Sequence, residues 1–132
     1  MCLTVNKVFD TRKDALKYYR TPNVARRNIT VWKSLISVVS DKSGRVIEAK
    51  SPHKCFLYER GFCYYQSGHK FTQKTQMIGT GMWELRIFRG LHAYRRRNHP
   101  ADNTLMKMII PKGARYFIGV GNDIVADQLI WP

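Results

Sequence analysis

Ile29-Thr30-Val31-Trp32-Lys33-Ser34-Leu35-Ile36-Ser37-Val38-Val39, followed by Asp41-Lys42-Ser43-Gly44 and then Arg45-Val46-Ile47-Glu48-Ala49, is the stretch that decides the fold. Branched and aromatic side chains suit a pleated, half-buried surface, so the first run predicts a long strand. Asp, Ser and Gly favour turns, the first two through local hydrogen bonds and Gly through its freedom at positive φ. The three pieces together predict a β-hairpin.

The texture continues outward from it. Downstream, Lys54 to Tyr58, Phe62 to Gln66, Met82 to Phe88, Leu105 to Ile110, Arg115 to Ile118 and Ile124 to Trp131 read as strands. Arg60-Gly61, Ser67-Gly68, Pro111-Lys112-Gly113 and Gly119 to Asp123 separate them. Gly68 to Gly81, with His69, Lys70 and Lys74 among Thr and Gln, reads as a long mobile loop or a loose hairpin. Upstream, Asp10 or Thr11 caps a short helix running to Tyr19, and Thr21-Pro22 ends it. The fold class is therefore α+β, a mainly antiparallel β-sheet with one or two short helices. No linker or repeat divides the chain, which predicts one domain over residues 1–132.

Composition supports a folded chain with an anionic partner. Of 132 residues, 44% are hydrophobic and 12% aromatic, enough for a core and contrary to the make-up of disordered chains. Lys and Arg number 23 against 9 Asp and Glu, a formal net charge of +14. Such a surplus repels itself in the compact state and predicts an anionic partner such as nucleic acid, nucleotide or a lipid headgroup. An acidic protein neighbour in an assembly, or a merely solvated basic surface, is the alternative. Met1 to Lys7 lacks the apolar core of a signal peptide and no later run approaches a membrane span. The expectation is a cytosolic protein with no membrane partner. Cys2, Cys55 and Cys63 are odd in number and lack C-x-x-C or zinc spacing, so they are read as reduced thiols, with Cys55 and Cys63 core-facing on adjacent strands and no metal held.

The densest basic run is Arg86-Ile87-Phe88-Arg89-Gly90-Leu91-His92-Ala93-Tyr94-Arg95-Arg96-Arg97-Asn98-His99. The planar arginine fork matches phosphate oxygens, and Phe88 and Tyr94 offer faces on which a base stacks. Lys112 and Arg115, around the Pro111-Lys112-Gly113 turn, join this patch if the sheet brings the turns to one edge. The candidate ligand-binding set is thus Arg86, Arg89, His92, Tyr94, Arg95, Arg96, Arg97, Lys112 and Arg115. Its alternative is a solvated turn after a strand, with Phe88 and Tyr94 in the core. No H-E-x-x-H, Walker A or G-x-S-x-G motif occurs, so the obvious hydrolase classes lack their signatures. A non-catalytic protein without a cofactor is expected. Were it an enzyme, His92 would be the acid or base and Glu84 or Asp123 its partner.

Two segments resemble a known group. They are Gly90-Leu91-His92-Ala93-Tyr94, and Ile110-Pro111-Lys112-Gly113-Ala114-Arg115-Tyr116 running on through Asn122-Asp123-Ile124-Val125-Ala126-Asp127-Gln128-Leu129-Ile130. Both are similar to small uncharacterised phage and gut-bacterial proteins with a G-F-H-A-like motif and a closing I-P-x-G hairpin. Val31-Trp32-Lys33-Ser34-Leu35 fits that group's opening strand, so the likeness covers roughly two thirds of the chain. Leu91 stands where the group has Phe, and the arginine-rich continuation departs from it. The resemblance implies a phage or prophage context and carries no activity. In that context three functions compete: binding of nucleic acid or a nucleotide; a structural or host-protein-binding part of a phage assembly, homo-oligomers included; and a nucleotide-using transferase or hydrolase.

Overall fold

A computed structural model describes residues 3–4, 9–17, 22–52, 56–65, 73–78, 81–87, 90–97, 104–119 and 121–132. In chain order its elements are β1 (Leu3–Thr4), α1 (Arg12–Leu16), β2 (Asn23–Val24), β3 (Ile29–Ser40), β4 (Val46–Lys50), β5 (Leu57–Glu59) and β6 (Cys63–Tyr65). There follow β7 (Gln73–Ile78), β8 (Met82–Ile87), β9 (Leu91–Tyr94), β10 (Thr104–Ile110), β11 (Arg115–Ile118), β12 (Asp123–Ala126) and β13 (Gln128–Ile130). Among the described residues strands dominate, the pairings are antiparallel and the helix is single and short, as the residue texture predicts.

The long strand organises everything. Residues 29–35 of β3 pair with β10 in unbroken register, Ile29 opposite Ile110 through Leu35 opposite Thr104. The other edge of this half meets β9 at Trp32 and Tyr94. From Ile36, opposite Lys50, the strand pairs with β4 instead, with register shifts between Ile36 and Val39 and again before Ser40. Ser37 sits there at φ 52°, the left-handed conformation that a bulge uses to bend a strand. At the tip of the β3–β4 hairpin, Asp41 Oδ1 accepts from the Ser43 hydroxyl at 2.6 Å and the Ser43 N–H at 2.9 Å, and Gly44 takes φ 86°. The predicted hairpin is therefore present, with its turn chemistry where expected.

From β3 the ten-stranded sheet extends in the order β2-β11-β12-β9-β3-β10-β13-β6, with β4 and β5 added at the bent half of β3. Its inner face buries Val31, Leu35, Met108, Ile110, Leu129 and Trp131. Each large apolar side chain removed from water there contributes about 2 kcal/mol. A three-stranded sheet, β1-β8-β7, stands beside it with α1 against β7 and β8, and β1 lies next to β12.

Some expectations are corrected. Ile124 to Trp131 is not one strand: it breaks at Asp127 into β12, between β11 and β9, and β13, between β10 and β6. The cause is the buried Asp127 carboxylate, which accepts from Arg115 N–H at 2.9 Å and Arg115 Nε at 3.0 Å and so turns out of the ladder. The helix starts where predicted, Thr11 Oγ1 accepting from Asp14 N–H at 3.1 Å, but covers only Arg12–Leu16. Tyr18 and Tyr19 lie outside the described residues. Of the Gly68 to Gly81 segment, Gln73–Ile78 is a regular strand paired with β8, the hairpin alternative of that reading. Cys63 is a free, half-buried thiol, and Cys2 and Cys55 lie outside the described residues.

Candidate functional site

The Gly90 to Arg97 run folds as a strand and a turn tied to the Gly121-Asn122 loop. Strand alternation and the register of β9 against β12 place His92, Tyr94, Asp123 and Val125 on one face, and Ala93, Ile124 and Ala126 on the other, which looks into the main core. Just beyond Tyr94, Arg95 N–H donates to Asn122 O at 2.8 Å and Arg96 N–H to Asn122 Oδ1 at 2.8 Å, while Asn122 Nδ2 returns a bond to Arg96 O. The Arg95 guanidinium donates to Gly121 O.

These ties split the arginine run. Arg95 lines a groove of about 580 Å³ on the inner side of the sheet. Arg97 lies over the Trp32 ring, 5.3 Å from its centroid, and Trp32 stands opposite Tyr94 on the other face. Arg96 is exposed between them. Arg86 is on β8 of the small sheet, and Arg89, Phe88 and His99 lie outside the described residues. Arg115 is committed to Asp127 rather than gathered with the others.

The groove recruits cations that the basic run does not contain. Arg26 and Arg27, on the connection between β2 and β3, line it together with Arg95. Their bend is pinned on both sides. Ala25 N–H donates to Ala114 O and Ala25 O accepts from Gly113 N–H, each at 2.8 Å, and Asn28 Oδ1 accepts from Lys112 N–H at 2.9 Å. Gly113 takes φ 90°, a conformation in which other residues are strained. Lys112 thereby has its backbone beside the bend, but it is not among the residues that line the groove. Among the described residues no carboxylate pairs with Arg26 or Arg27 and none lines the groove. Its remaining surface is Tyr116, Ile118 and Ile124 from β11 and β12, Ile29 and Thr30 from β3, and Asn23 and Val24 from β2. Charged side chains thus share the groove with apolar ones and a ring, a combination that small-ligand clefts also use.

A second constellation occupies the opposite face. His92 Nε2 lies 2.6 Å from Asp123 Oδ1, and the imidazole meets the Tyr94 ring edge-on at 5.0 Å. Burial lowers the His92 pKa below its usual value, and Lys33 adds to this, whereas the hydrogen bond and charge of Asp123 oppose it. Asp123 fixes the orientation of the ring. The expected His92–Asp123 partnership is present, while Glu84 is buried on β8 of the other sheet. Neither His92 nor Asp123 lines the arginine groove.

Under this face runs an unexpected cation. Lys33 projects from β3 toward the core, 8% exposed, where its Nζ donates to His92 O at 2.6 Å and stands 5.6 Å from the Tyr58 ring centroid. Burial lowers its pKa to about 8. Among the described residues no group of His, Cys, Asp and Glu is arranged to hold a metal ion. No helix among them is long and apolar enough to cross a membrane.

Of the residues that line the groove, the sequence singles out Arg95 but not Arg26, Arg27 or Tyr116 as binding residues. The available signal was the dibasic pair followed by Asn, directly before the long strand, and the aromatic position closing the Ile110 to Tyr116 segment. Compared with protein-family models, curated proteins and solved structures, the chain matches none.

Proposed function

We propose that this is a small basic binding protein of phage type, whose groove takes a phosphate-bearing anionic ligand. The observation that carries this reading is the convergence of Arg26, Arg27 and Arg95 on one groove without a carboxylate among its described lining residues. Arginines without an acidic partner keep their charge uncompensated and most of their donors for phosphate oxygens, and hydrogen bonds between charged groups are about twice as strong as neutral ones. The backbone ties at Ala25 and Asn28 support the reading further, because they fix the bend before any ligand arrives. The His92–Asp123 pair, being on the other face, does not supply an acid or base to a ligand in the groove.

The test is mass spectrometry of small molecules released from freshly purified protein, together with low-salt titration against inorganic pyrophosphate and oligonucleotides. A phosphate-bearing ligand is expected, and Arg26→Glu with Arg27→Glu is expected to abolish its binding. Absence of binding to every such probe, or binding indifferent to the charge reversal, overturns the reading. Exposed Phe56, Phe62 and Tyr65 near the β5–β6 edge favour a second one, a protein partner in a phage assembly, for which such aromatic residues serve as anchors.

A further inference from the structure

Resting on the reading of the groove as a phosphate site, the shape and lining of that groove narrow the ligand class. Duplex DNA is read by elements that protrude into a groove about 12 Å wide, whereas here the arginines surround a recess. Single strands are held by basic channels with several aromatic faces for successive bases, and among the described residues the ring lining this groove is Tyr116 alone. The recess has an apolar part, where Ile118 and Ile124 adjoin Tyr116, and a polar edge at Asn23, the Cα partner of Tyr116 on the neighbouring strand. That combination suits one base: a face to lie on and an amide to meet its hydrogen-bonding edge. The three guanidiniums exceed the need of one phosphate, since each offers a bidentate fork. Arg95 spends one donor on Gly121 O, which orients the fork and leaves the rest of its five.

We propose that the groove is a nucleoside-diphosphate site, Arg26, Arg27 and Arg95 holding the two phosphates while Tyr116 and Asn23 receive the base. The Tyr116, Ile118 and Ile124 side of the groove selects for the nucleoside moiety, and the arginines select for its phosphates. The ligand class comprises free nucleoside diphosphates and esters that carry a terminal nucleoside diphosphate.

Calorimetric titration of the full-length protein in low salt tests this with adenosine diphosphate, uridine diphosphate, adenosine, inorganic pyrophosphate, a short single-stranded oligonucleotide and the duplex of the same sequence. At least one nucleoside diphosphate is expected to bind roughly tenfold or more tighter than pyrophosphate or adenosine, about 1.4 kcal/mol or more. Arg26→Gln with Arg27→Gln is expected to weaken diphosphate and pyrophosphate alike. Tyr116→Leu, which keeps apolar bulk, is expected to reduce the nucleoside diphosphates to the level of pyrophosphate and leave pyrophosphate unchanged. Because Tyr116 also packs on the core, the comparison of nucleoside diphosphate with pyrophosphate on the unsubstituted protein decides the matter if that variant does not fold. Equal affinity for the two overturns the nucleoside-diphosphate assignment and leaves a plain phosphate site. Preference for the oligonucleotide or duplex overturns it in favour of nucleic acid. No binding by any probe overturns both this assignment and the phosphate reading beneath it.

Discussion

Lys33 is the residue whose environment departs furthest from what its chemistry favours. A charged amine is seldom buried without an anion, yet Lys33 sits between Val31 and Leu35 on the inward face of β3, where its partners among the described residues are a carbonyl and a ring. Its folded pKa of about 8 lies below the unfolded value, so between pH 8 and roughly 10.5 the unfolded chain binds more protons than the folded one. Stability attributable to this group therefore rises with pH across that window, by about 3 kcal/mol at most. Below pH 8 both states are charged and the full desolvation cost remains. Lys33→Met is expected to unfold at higher urea than the natural protein at pH 7, with the gap closing toward pH 10. Urea denaturation of both proteins at the two pH values checks it, and a gap that widens with pH would contradict the buried-amine account. Nothing in the sequence marks Lys33, because alternation along Val31-Trp32-Lys33-Ser34-Leu35 shows which face it shares but not that this face is the buried one.

At the scale of elements, Asp127 is the hinge of the sheet. Its carboxylate replaces a ladder bond for Arg115 while its own N–H donates to Arg115 O at 3.0 Å, so the corner between β12 and β13 closes on one residue pair. Asp127→Ala is expected to cost ~2 kcal/mol, less than the ~3–5 of a wholly buried pair because Arg115 is partly solvated. Asp127→Asn, which keeps one acceptor for the Arg115 N–H, is expected to cost less, and equal losses in urea melts would show that packing rather than hydrogen bonding dominates. The elements legible in the sequence are those with long, uniform texture: β3 and β4 with their Asp-Lys-Ser-Gly turn, β10, and β11 at its observed bounds. Strand β9 was obscured because its four residues stand between Gly90 and an arginine triplet, whose charge reads as surface. The break at Asp127 was hidden for another reason. An acid amid apolar residues reads as a solvent-facing strand position until Arg115 is known to lie beside it.

For the molecule as a whole, the sign of the charge was legible from composition and its distribution was not. The groove draws on Asn23 to Thr30, on Arg95 and on Tyr116, Ile118 and Ile124, which the pairing of β2 with β11 and β12 with β9 brings together. Arg95 and Arg97, two apart in the run, end on opposite sides of the sheet because β9 stops at Tyr94 and the bend that follows breaks the alternation, which would have kept them on one face. Pairing order also predicts how the fold fails. Deleting residues 123–132 removes an interior strand from each wing of the large sheet, β12 from between β11 and β9 and β13 from between β10 and β6. Such a chain is expected to lose the dispersed amide NMR spectrum of the whole, and a surviving subset of dispersed signals would mean that one wing folds independently. On the ribosome, the same arrangement makes the nascent chain wait. Translation proceeds at about 5–20 residues per second, and until Ile130 has emerged both wings lack their keystones. Val31 and Leu35, already synthesised, remain uncovered for several seconds, an interval in which a holdase chaperone has its best claim on this chain.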